Sequence, residues 1–65
     1  MKEVESMIER IEELAEEKKI KPGYAEDCID FLQRIEHKEY EELSARQAHW
    51  FDDIEEMLEE HSDEV

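Results

Sequence analysis

Val4, Met7, Ile8, Ile11, Leu14 and Ala15 recur at steps of three and four. That spacing gathers side chains on one stripe of a helix and predicts a first helix over residues 2–19. Glu3, Glu5, Glu9, Glu12, Glu13, Glu16 and Glu17 fill the other positions, and Lys18, Lys19 and Lys21 come last, an order of charge that complements the helix dipole. Ile20-Lys21-Pro22-Gly23-Tyr24 holds the only proline and the only glycine. It predicts a turn, with Pro22 suited to the first position of the next helix. That second helix is expected over residues 24–37, with Ala25, Cys28, Ile29, Phe31, Leu32 and Ile35 on a wide apolar stripe and Glu26 and Asp27 in its first turn. A wide stripe implies two neighbours, so this helix is expected at the centre.

Between His37 and Ser44 the period breaks, and Lys38, Glu39, Tyr40, Glu41 and Glu42 read as a connection with Tyr40 folded inward. Ser44-Ala45-Arg46-Gln47 matches a capping box, in which serine and glutamine each satisfy the other's backbone N–H. Leu43 before the cap and Ala48 at the fourth helical position are placed for a hydrophobic staple. Ala48, Phe51, Ile54 and Leu58 then extend a third helix over residues 45–60, flanked by Trp50 and Met57, and residues 61–65 are expected to fray. The pattern predicts an all-α, small three-helix bundle, with residues 1–65 forming a single domain.

Charge changes this picture from a fold to a surface. The 65 residues carry 22 Asp and Glu against 8 Lys and Arg, a formal charge of -14. Such a chain repels phosphate, which argues against direct binding to nucleic acid or to anionic membrane. The excess is uneven: residues 47–65 hold eight acidic residues and no lysine or arginine. No apolar run approaches the length of a membrane span, and Met1-Lys2-Glu3-Val4-Glu5 lacks the layout of a signal peptide. One cysteine, Cys28, provides no disulfide framework. Together these point to a cytoplasmic protein.

Asp52, Asp53, Glu55, Glu56, Glu59 and Glu60 avoid the positions of Phe51, Ile54 and Leu58, so they are expected on the outward face of the third helix. Carboxylates at i, i+3 and i, i+4 lie about 5–6 Å apart, resembling the spacing of phosphates on a nucleic-acid strand. Such a face is either a solubilising surface or a docking face for a basic protein, drawn in by electrostatic steering. Trp50, about 100° around the helix from Phe51, is expected near the rim. There it covers the loop near Tyr40, covers a neighbouring helix, or anchors a partner.

Other chemistry finds little support. Helical carboxylate metal sites use Glu-x-x-His, whereas Arg34, Arg46 and Leu58 stand three before His37, His49 and His61. Neither a calcium loop nor a zinc ligand spacing occurs. His49 reads as a surface residue, Cys28 as an inert thiol on the second helix's apolar stripe, and Ser44 is claimed by the cap. A helix-turn-helix reader would have to place six carboxylates in the major groove. The expectation is therefore no enzyme, no catalytic residues, no cofactor and no metal.

Phe31-Leu32-Gln33 followed by Leu43-Ser44-Ala45-Arg46-Gln47-Ala48-His49-Trp50-Phe51-Asp52-Asp53-Ile54 resembles a pattern of small acidic phage-encoded helical proteins. In these, a Phe-Leu helix precedes Leu-Ser-x-x-Gln-x-x-Trp-Leu-x-x-Ile. Phe51 stands where leucine is commoner, and the resemblance covers about half the chain. It implies a phage or bacterial source and a modulator of host nucleic-acid machinery, an implication by association rather than by site chemistry. The expected function is a noncatalytic acidic protein-interaction module. Its partner-binding residues would be Trp50, Asp52, Asp53, Glu55, Glu56, Glu59 and Glu60, and its partner a basic, nucleic-acid-binding protein. The alternative is a structural or assembly protein that forms a homodimer through its first helix or Trp50.

Overall fold

The computed structural model describes residues 3–62. Three helices follow one another: α1 (Glu3–Glu16), α2 (Pro22–Ile35) and α3 (Ala45–Ser62), with a short 3₁₀ turn at Tyr40–Glu42 before α3. This is the expected all-α three-helix bundle. Val4, Met7 and Ile11 of α1, Ala25, Cys28, Phe31, Leu32 and Ile35 of α2, and Phe51 and Ile54 of α3 share one buried cluster. Ile8, Ala15, Ile29 and Leu58, expected in the stripes, are only half-buried at its edge.

The helix ends differ from the sequence expectation in ways that backbone chemistry explains. The first helix stops at Glu16 rather than Lys19, and its expected start at Lys2 lies outside the described residues. Lys18 adopts φ 64°, while the Lys19 N–H donates to the Leu14 carbonyl at 2.9 Å and the Lys18 N–H to that of Ala15 at 3.1 Å. This pair of reversed bonds satisfies the last carbonyls of the helix, and a lysine occupies the left-handed position that glycine usually fills. The lysines expected in the last turn lie just past it.

The second helix starts two residues earlier than expected, because Pro22 takes its first position behind Lys21, where a missing N–H has no cost. Glu26 and Asp27 therefore fall outside the first turn, which holds no acidic residue. The helix ends at Ile35 rather than His37, and the Lys38 N–H closes a tight turn onto the Ile35 carbonyl at 2.9 Å.

The third helix begins where the capping box placed it. Ser44 Oγ accepts from the Gln47 N–H at 3.2 Å, and Gln47 Oε1 accepts from the Ser44 N–H at 3.1 Å. It continues through His61 and Ser62 instead of fraying there, and residues 63–65 lie outside the described residues.

The helix expected at the centre is not the one that approaches both others most closely. The α2 helix buries the most residues, but α1 comes near both α2 and α3. Ala25 and Cys28 are small buried side chains of α2, and small side chains permit close helix approach, since interaxial distance follows the residues at the contact. Between α2 and α3 the rings of Phe31 and Trp50 hold the backbones apart.

Candidate functional site

At about 100° per residue, the register fixed by the capping box turns Phe51 and Ile54 into the core. All six expected carboxylates, Asp52, Asp53, Glu55, Glu56, Glu59 and Glu60, are exposed. The same geometry divides them: Asp52, Glu56 and Glu60 form the back of α3, Asp53 leans toward α2, and Glu55 and Glu59 lean toward α1. Two neighbourhoods agree with this division. Asp53 is close enough to Tyr24 of α2 to help raise its hydroxyl pKa, and Glu55 and Glu59 line a groove with Glu3, Met7 and Arg10 of α1.

Among the described residues, no lysine or arginine forms an ion pair with Asp52, Asp53, Glu55, Glu56 or Glu60. Arg34 is engaged with Asp30 on its own helix at 3.1 Å, and Lys19 with Glu17 at 3.3 Å. The contacts the face does make are local. His49 Nε2 lies 3.5 Å from Asp53 Oδ2, an ion pair only when the imidazole is protonated, and both side chains are exposed. The Tyr40 hydroxyl donates to the Asp52 carboxylate at 3.1 and 3.2 Å.

Burial raises the Glu55 carboxyl above its ordinary value, and the neighbouring charges of Asp52, Glu3 and Glu59 add to the effect. The hydrogen bond to Asp52 is the main cause that raises the Tyr40 hydroxyl, because an ionised tyrosine could no longer donate.

The two adjacent aromatics of α3 separate as expected, with different partners. Trp50 is half-buried and stacks on Phe31, ring centroids 4.3 Å apart and planes at 25°. This sets it against a neighbouring helix, one of the positions expected for it. Phe51 meets the ring of Tyr40 edge-on at 5.8 Å and 66°. Tyr40 was expected to fold inward, but it remains 45% exposed. Its hydroxyl has an acceptor at the surface, so only one edge of its ring is covered.

Cys28 is buried, and burial raises its thiol pKa. A hydrogen bond with Tyr24 opposes that shift, and the charge of Asp27 reinforces it. A thiol in such surroundings is a weak nucleophile. Among the described residues, no group of three or more His, Cys, Asp or Glu is placed to hold a metal ion, and no helix is long and apolar enough to cross a membrane.

Two features escaped the sequence reading. The Tyr40–Asp52 contact joins residues twelve apart across the helix start, and only the edge contact of Tyr40 with Phe51 brings them together. Glu3, Met7 and Arg10 reach the third helix through tertiary packing, which no periodicity in the first helix signals. The fold and this surface define a small all-α protein whose last helix turns an acidic face outward. Comparison with protein families, with curated proteins and with solved structures yields no match to this chain.

Proposed function

We propose that the chain is a noncatalytic acidic protein-interaction module. Its partner is a basic, nucleic-acid-binding protein of phage or host, in whose groove the carboxylates of α3 take the place of phosphates. The observation that carries this reading is the exposure of all six acidic side chains along one helix. Like charge exposed along a helix raises the encounter rate with an opposite surface, and the same charge repels nucleic acid itself. Trp50, with one ring face on Phe31, stands beside this charge as an aromatic contact. The low nucleophilicity of Cys28 supports a role without catalysis, and the cytoplasm is the compartment that suits a single unpaired thiol. Val4, Met7, Ile11 and Leu14 are buried within the molecule, so self-association through the first helix's stripe has little surface to use.

Capture from bacterial lysate at about 50 and about 300 mM salt tests the proposal, since screening tightens over this range. A nucleic-acid-binding protein should be retained at low salt and released at high salt. The triple substitution Asp52→Asn, Glu56→Gln, Glu60→Gln should abolish its capture. Retention that these substitutions leave unchanged, or no basic protein captured at low salt, would overturn the proposal.

A further inference from the structure

Where α3 passes α1, an open groove of about 420 Å³ is lined by Glu3, Met7, Arg10, Glu55, Leu58 and Glu59. Leu58 is half-buried and Met7 shows only a 6% edge, so its floor is apolar and formed chiefly by Leu58. Its walls carry three carboxylates against one guanidinium. We propose that this groove seats a cationic amphipathic helix of the partner, with an aliphatic side chain on Leu58 and flanking lysines or arginines against Glu3, Glu55 and Glu59. The inference rests on the reading of the chain as an acidic interaction module, and it specifies which part of the surface recognises the partner and by what shape.

Charge complementarity selects this occupant over others. Glu3, Glu55 and Glu59 outnumber Arg10 along the groove, the charges of Glu3 and Glu59 add to the burial that raises the Glu55 carboxyl, and an arriving ammonium or guanidinium relieves that repulsion. A second copy of the chain would bring another formal charge of -14 to the same seam. A partner that is basic but not amphipathic would leave the apolar floor wet. A helix laid in a groove between two helices covers it with residues spaced three and four apart, and its charged rim meets the walls. The outer row of Asp52, Glu56 and Glu60 then steers the partner, and the groove decides which basic partner stays.

The test uses the whole chain and two synthetic peptides of about five helical turns. Both have the same leucine and lysine content. One places the leucines on a single helical face, and the other scatters them. The facial peptide should bind about tenfold or more tightly than its scattered isomer. It should shift the backbone amide resonances of residues 3–10 and 55–59. Glu3→Gln, at an exposed position that does not threaten the fold, and Leu58→Ser should each remove most of that preference, while Glu26→Gln, exposed on α2 and away from the groove, should leave it intact. Equal binding of the two peptides, with shifts confined to residues 52, 56 and 60, would overturn the groove and leave the acidic-module reading standing. Failure of both peptides to bind at low salt would remove that reading as well.

Discussion

The Trp50 indole lies face to face with the Phe31 ring, centroids 4.3 Å apart, so the third helix is fastened to the second by stacked rings rather than by close backbone approach. Among the described residues, Phe51 and Ile54 are the α3 members of the buried cluster, with Trp50, Met57 and Leu58 packed against its edge, so this stack is one of the few contacts that hold α3 in place. Truncating a large aromatic removes both its apolar burial and the ring contact. Trp50→Ala should therefore destabilise the fold by about 2–3 kcal/mol, less than full burial would cost because the indole is only half covered. Urea unfolding followed by circular dichroism measures this, and Trp50→Phe, which keeps a ring against Phe31, should recover most of the loss. Unchanged stability in Trp50→Ala would mean that the stack contributes nothing to holding α3.

Lys18 holds φ 64° at the end of α1, a conformation that an L-residue with a Cβ adopts at a cost and glycine does not. Lys18→Gly should raise stability by about 0.5–1 kcal/mol. Gly23 presents the opposite case. It lies in the first turn of α2 with no positive φ, and an added Cβ would meet nothing within 4 Å. Gly23→Ala should thus also stabilise, by about 0.5–1 kcal/mol, because glycine loses the most backbone freedom on folding. In both variants the urea midpoint should rise with an unchanged slope. A fall in either midpoint contradicts the corresponding backbone argument.

The reciprocal bonds between Ser44 and Gln47 fix the rotation of α3 and with it the direction of every acidic side chain. Ser44→Ala should cost about 1 kcal/mol, and Ser44→Asp, which keeps an acceptor at the cap, should cost much less. Hydrogen exchange offers a sharper check than global unfolding. The amide of Gln47 should lose protection in Ser44→Ala before the amides around Ile54 do.

How much of this was legible beforehand follows from where each signal resides. The capping box is a local exchange of two hydrogen bonds, so Ser44 and Gln47 announced the start of α3 to the residue, and the alternation from Phe51 to Leu58 then oriented its acidic face. The end of α1 was misread because the cap there depends on a backbone angle at Lys18. A lysine gives no sign of such an angle, as a glycine would have. Pro22 carried the signal for the start of α2, but the stripe beginning at Ala25 drew the expected boundary inward. The groove was out of reach, since nothing in the spacing of Glu3, Met7 and Arg10 says that α3 will pass beside them. Packing between elements distant in the chain decides it.

That same seam governs how stability should depend on pH. Burial first, then the charges of Asp52, Glu3 and Glu59, raise the Glu55 carboxyl above its ordinary 4.5. A group whose folded pKa is raised adds stability that is fully present below the unfolded value and is lost as pH rises through the folded value. Glu55 thus favours the fold in acid and loses that contribution on the way to neutrality. Stability should therefore increase as the pH falls through the raised value toward the ordinary 4.5. Tyr24 and Tyr40, also raised from 10.0, add a loss on the alkaline side as they ionise. Glu55→Gln should stabilise the chain at neutral pH and flatten the acidic part of the profile. Added sodium chloride should stabilise the parent more than the variant, because salt screens repulsion between exposed charges. Thermal midpoints across pH, with and without salt, read all of these. A parent that loses stability as the pH falls from neutrality into the ordinary carboxylate range would show that attractions of the carboxylates, not their mutual repulsion, dominate the α1–α3 seam.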